Sequence, residues 1–336
     1  MTLKLTPIIA ALATAAVLMP ASAYAAGPYE GEVVKIIVPH GPSGPMNQYA
    51  RMIAPHLARH LGASDVRVDN QPGAGTLKGT NMLRYADPDG LTIAFTSVAT
   101  PVLAQLAESP GVQFDAKDFV YLGRVAFDPR FLYVAENSDI DSIEDLMKLD
   151  RPFVYPAQGT DEDFYTMAML SKALGFDIKI NTGYDGIADS TLALVKGEAD
   201  GFMASWPSAR AAVENGDLKP ILALREERDP DRPDVPTIFE VVQDPDKQEM
   251  AHRILDIQSL FRTFFGPPGM EPEHVAAMRE ALAATIADPE LIAQSEQMQL
   301  PVSFADGQTM QDRVTAVMQS SQTLKPVMAE ALESIQ

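Results

Sequence analysis

Val33-Val34-Lys35-Ile36-Ile37-Val38-Pro39-His40-Gly41-Pro42-Ser43-Gly44-Pro45-Met46-Asn47 reads as a strand that breaks into a Gly/Pro loop, and an amphipathic run to Leu61 follows it. The pattern repeats at once. Val66-Arg67-Val68-Asp69-Asn70 leads into Gln71-Pro72-Gly73-Ala74-Gly75-Thr76, then a helical run to Ala86 that ends at Pro88-Asp89-Gly90. Strand, loop and helix in this order mark an α/β protein. Each loop would aim backbone N–H groups from a helix N-terminus, an arrangement that holds an anion without a cationic side chain. The expected ligand is a small molecule bearing a carboxylate.

Outward from this stretch, short apolar runs alternate with helical patterns. Strands are expected at 33–38, 65–69, 91–96, 119–125, 131–135, 153–156, 178–181, 199–204, 219–224 and 258–265. Helix 48–61 carries Tyr49, Met52, Ile53, Leu57 and Leu61 on one face, with Asn47 as its cap and Pro55 expected to kink or break it. Further helices are expected at 163–174 and from Glu273, with Pro272 in the first turn of the latter.

The first 25 residues read as a secretory signal: one charge, Lys4, an apolar stretch from Ile8 to Met19, then small residues through Ala25. That stretch is shorter than the roughly 18 residues of a membrane span. The remaining roughly 310 residues suggest two lobes rather than one. Chain crossings are expected near Ala126–Phe131 and Leu224–Arg228, giving lobe 1 as 32–126 plus 225–336 and lobe 2 as 127–224. Residues 225–246, rich in Pro, Asp, Glu and Arg, read as a surface connection. Ligands of open α/β sheets bind beyond the carboxyl ends of the strands, here between the lobes.

The formal net charge of −20 argues against nucleic acid and anionic membranes as partners. It does not argue against an anionic ligand, because surface charge is screened over about 8 Å. The sequence has no cysteine, hence no lipid attachment site and no disulfide, and a core this large can do without both. The expected location is the periplasm and the expected state a monomer.

Taken together, the motifs resemble the solute-binding receptors of tripartite tricarboxylate transporters, the Bug family. The similarity rests on the first Gly/Pro loop before Ala50-Arg51, Asn70-Gln71-Pro72-Gly73-Ala74-Gly75 with Gly79, and Pro88-Asp89-Gly90-Leu91-Thr92. Later come Tyr184-Asp185-Gly186, Gly197-Glu198-Ala199-Asp200, Pro233-Asp234-Val235-Pro236-Thr237 and Phe265-Gly266-Pro267-Pro268-Gly269. The resemblance implies a two-lobed periplasmic receptor of type II topology that holds a carboxylate through its two Gly-rich loops and passes it to membrane permease subunits. The family's first loop usually reads Gly-Gly-x-x-Asp, where this chain has Ser43-Gly44-Pro45-Met46-Asn47. Thr76 and Leu77 stand where Gly and Asn are common, and Asp161-Glu162-Asp163 replaces neutral residues and a frequent His.

Candidate ligand contacts are Ser43, Gly44 and Asn47 on the first loop and Gly73, Ala74, Gly75 and Thr76 on the second. Thr96 and Ser97, ending the third strand, either face the cleft or make a turn. Thr160, Tyr184 and Ser205 play the corresponding parts on lobe 2. Trp206 either packs the lobes or forms a cleft wall. Asp161 and Asp163, with Glu162 between them, either complement a helix dipole or meet a ligand ammonium; a calcium loop would need a third acid and a glycine. His56 and His60 have metal-compatible spacing but read as a solvated helix face, so no metal and no cofactor is expected.

The reading these residues favour is a non-enzymatic receptor for a dicarboxylate, aromatic acid or amino acid. One alternative is a co-receptor for a membrane sensor kinase. The other is a secreted hydrolase using Ser43 and His40, for which the final glycine of Gly-x-Ser-x-Gly is missing.

Overall fold

The computed structural model describes residues 27–335, so the expected signal segment lies outside the described residues. The strands are β1 (Val33–Val38), β2 (Asp65–Asn70), β3 (Thr92–Thr96), β4 (Val120–Arg124), β5 (Arg130–Ala135), β6 (Phe153–Ala157), β7 (Ile178–Thr182), β8 (Gly201–Ser205), β9 (Leu218–Ala223), β10 (Thr263–Gly266) and β11 (Ala305–Asp306). The first sheet runs β11-β4-β10-β3-β1-β2. Its β1 is parallel to β2 and β3, whereas β10 is antiparallel to both β3 and β4. The strand that follows the chain's return thus inserts into the middle of the first sheet. In the rest of the molecule, β5 pairs antiparallel with β8 and β9, and β6 pairs parallel with β7. This is the two-lobed type II architecture.

Burial explains the sequence pattern. β1 is covered on both faces, so it reads as an apolar run rather than an alternation. One face of the first sheet packs on the Pro45–Leu61 and Pro272–Ile286 helices through Val34, Ile36, Val38, Ile53, Leu57, Met278 and Leu282. The other face opens an apolar layer that does not stop at the lobe boundary. It runs from Ile37, Ala94 and Val102 through Phe164, Leu170, Ile254 and Met328 to Phe131, Leu132 and Phe202. The Pro245–Gln258 and Ser321–Glu333 helices pack directly on the Glu162–Leu174 helix.

Several expectations change. The run 258–265 is not one strand: Gln258 ends a helix whose Ala251, Ile254 and Ile257 are buried at helical spacing, and β10 starts only at Thr263. Between them the chain turns, with Arg262 at φ 49. The first helix begins at Pro45, with Gly44 in the N-cap position and no side-chain cap. Asn47 is therefore inside the first turn, where its amide donates to the Pro42 carbonyl at 2.6 Å and its oxygen accepts from Arg51. The helix runs on through Pro55 as one element.

Residues 225–246 are more than a surface connection, because Val235, Ile238 and Val242 are buried. Thr237 and Glu240 form a capping box around the Ile238–Val241 turn. His56 is likewise not on a solvated face. It is buried against the Pro289–Gln297 helix and meets Gln294 at 3.1 Å, while His60 reaches Asp288 at 3.1 Å. His56, Asp288 and Glu290 lie close enough to share an ion, but the cation among them is Arg59, which pairs with both acids.

Candidate functional site

Strand ends from all three sheets converge on one cleft. His40 follows β1, Ser97 follows β3, Gln158 follows β6 and Ser205 ends β8, while Arg130 opens β5 and Arg262 immediately precedes β10. These residues, with Pro45, Met46, Asp161, Glu162, Asp163, Ser208 and Phe261, line a space of about 230 Å³. Both lobes contribute to it.

Of the residues singled out from sequence, the structure brings Ser97, Asp161, Asp163 and Ser205 to this cleft. Ser97 donates to Glu162 across the lobes. Asp161 caps the Glu162–Leu174 helix, accepting from the Phe164 N–H at 3.0 Å. Asp163 pairs with the Arg130 Nε at 3.0 Å, and Ser205 meets Ser208 at 3.0 Å. Thr96 lies just behind, fully buried, with its hydroxyl 2.8 Å from His40 Nε2.

The other candidates are not among the lining residues. Ser43 is exposed, and Gly44 and Asn47 lie at the helix start described above. Gly73, Ala74 and Gly75 are exposed, and with Thr76 they form four successive residues at positive φ, of which only the glycines adopt that region freely. Thr160 and Tyr184 are partly buried beyond the cleft. Trp206 stacks under the Arg232 guanidinium at 3.3 Å and lines a separate gap of about 240 Å³ with Ser295, Gln299 and Pro301. His40 faces Thr96 rather than Ser43, and burial lowers its pKa to about 4, so it is neutral at pH 7.

Sequence reading missed the two arginines. Arg130 is 9 % exposed and Arg262 4 %. Arg262 pairs with Asp128, and both guanidinium groups lie over the Phe261 ring, at 4.5 and 4.4 Å. Burial works against the charge of Arg130, but Asp163, Glu162 and Asp128 together hold it protonated. The signal was present: each is a lone charge beside an aromatic strand sequence, Arg130-Phe131-Leu132-Tyr133 and Phe261-Arg262-Thr263-Phe264-Phe265.

The acids outnumber these cations. Burial, reinforced by the charge of Asp163, pushes Asp161 up to about 7. Burial also pushes Glu162 up to about 7, against the pull of Arg130. Arg130 and Arg262 are each engaged in one ion pair, with Asp163 and Asp128, and neither Asp161 nor Glu162 is in one.

The profile of the tripartite tricarboxylate transporter family receptor matches residues 49–328. A UPF0065 protein of Bordetella pertussis is 28% identical over 280 residues, covering 82% of this chain and 81% of that protein. Among solved structures, Rpa4515 of R. palustris with adipate superposes with a TM-score of 0.68 at 20% identity, covering 88% of this chain and 97% of that one. MatC of Rhodopseudomonas palustris with bound malate gives 0.65 at 20% identity, covering 90% and 99%. Family and fold are those of binding proteins, and this chain belongs to the tripartite tricarboxylate transporter receptor family.

Proposed function

We propose that the protein captures a small organic acid in the inter-lobe cleft and delivers it to the membrane subunits of a tripartite transporter. The observation that carries this reading is the convergence of strand ends from all three sheets on one space lined by Arg130 and Arg262. Receptors of the same fold bind malate and adipate, acids of a size this cleft would suit. Closure of the lobes over the acid would be the signal the permease reads, a hinge motion between two rigid bodies. Work in the periplasm, after removal of the first 25 residues, is part of the same reading. Among the described residues no helix is long and apolar enough to cross a membrane.

Thermal unfolding of the mature protein against dicarboxylates, tricarboxylates, aromatic acids and amino acids tests it. A ligand at 100 times its dissociation constant adds about 2.7 kcal/mol, a shift of several degrees. At least one acid should produce such a shift. A panel in which none does, with a protein shown by native mass spectrometry to be empty, would overturn the proposal.

A further inference from the structure

We infer that the acid this cleft takes also carries a cationic nitrogen, seated against Asp161 and Glu162 while its carboxylate turns toward Arg262. This rests on the function proposed above and narrows its ligand to amine-bearing acids.

Two of the acids around the cleft are in ion pairs and two are not. Asp163 is matched by Arg130 and Asp128 by Arg262. Glu162, 4 % exposed, has the Ser97 hydroxyl as its hydrogen-bond partner, and Asp161 accepts from the Phe164 N–H. A carboxylate taken out of water without a cation is costly, and its usual remedies are a proton or a positive partner. The remaining titratable neighbour, His40, is held neutral by burial and supplies no charge.

A second observation points to the ligand from the other side. Arg262 lines the same space, and its Nε is buried without a hydrogen-bond partner although another nitrogen of the group is taken by Asp128. A buried N–H without an acceptor carries its full desolvation penalty. The lining of one small space therefore includes a cation with an unmet donor and two acids outside any ion pair. A plain dicarboxylate would satisfy the first and be repelled by the second. An amine-bearing acid satisfies both. At about 230 Å³ the space is smaller than the roughly 300–1,000 Å³ of drug-sized sites, so the molecule is compact.

The sign of the pH dependence separates the two ligand types. An ammonium must displace protons from Asp161 and Glu162, so its affinity falls as pH drops through about 7. A plain acid is repelled by the same groups when ionised, so its affinity rises on acidification. Arg130, Arg262, Asp163 and His40 are the other charged or titratable groups that face the same space.

Calorimetric titration of matched pairs tests the inference: aspartate against succinate, glutamate against glutarate, 4-aminobutyrate against butyrate, phenylalanine against 3-phenylpropionate. The expected result is at least one pair in which the amine-bearing member binds more than tenfold tighter, with affinity falling from pH 7.5 to 5.5. Glu162→Gln, which keeps an acceptor for Ser97, and Asp161→Asn, which keeps the cap, should each erase most of that preference. Amine-free acids binding as well as their twins, or an amine-bearing member whose affinity rises on acidification, would overturn the inference while leaving the organic-acid receptor standing. Failure of every member of every pair would overturn the inference, and the receptor reading with it only if the wider acid panel also gives no shift on an empty protein.

Discussion

A carboxylate at a helix start is ordinarily a cap, and Asp161 is one; its neighbour Glu162 has no such role. Glu162 is buried, and its hydrogen-bond partner is the Ser97 hydroxyl on the other lobe, so burial leaves its ionised form disfavoured. Because its pKa is raised on folding, the unfolded chain holds fewer protons between about pH 4.3 and 7, and stability is lost as pH rises through that window. Glu162→Gln removes the penalty and should stabilise the empty protein by more than about 1 kcal/mol at pH 8, with no gain at pH 4. Urea titrations at the two pH values check this, and equal effects at both would contradict it. Acidity at 161–163 was legible in the sequence. Its partners were not, because Arg130 lies 33 residues away and Ser97 lies 65 residues away on the other lobe. Spacing along the chain carries no trace of either meeting.

Elements were easier to read than contacts. Strands with apolar runs between turn residues fall where periodicity puts them, because their burial on both faces is local information. The run 258–265 failed for the same reason: its buried neighbours Ile254 and Ile257 belong to a helix, and a short apolar run does not distinguish the two. The Thr237-Ile238-Phe239-Glu240 box was visible and went unread. Removing its hydroxyl with Thr237→Ala should cost about 0.5–2 kcal/mol, measurable as a lower urea midpoint at unchanged slope.

Gly79 sets a sharper test at this scale. A Cβ there would stand 2.7 Å from the Cβ of Pro39 and 3.2 Å from Ile37, where the Leu77–Arg84 helix crosses β1. Alanine gains about 1 kcal/mol of helix propensity but overpacks a junction where such insertions cost roughly 1–3 kcal/mol. Gly79→Ala should therefore be net destabilising. A stabilised variant would mean that the helix moves away from β1 freely.

Across the whole molecule, the three sheets share one apolar layer rather than the lobes meeting only at a pair of crossing strands. The Pro245–Gln258 and Ser321–Glu333 helices tie that layer to the Glu162–Leu174 helix. A large apolar interface between lobes favours joint unfolding. The sole tryptophan, Trp206, and the far-UV signal should report one coincident urea transition. Two separated transitions would show that the lobes stand alone.

An acid held between the lobes is within direct reach of Ser208. Its side chain is exposed, lines the cleft and stands on the Trp206–Glu214 helix. Ser208→Trp would fill the space without disturbing the core. The decisive measurement is a titration of the acid that shifts unfolding most into native and Ser208→Trp protein. Binding between the lobes predicts at least a tenfold loss of affinity at an unchanged unfolding temperature of the empty protein; undiminished binding by the variant would put the ligand elsewhere.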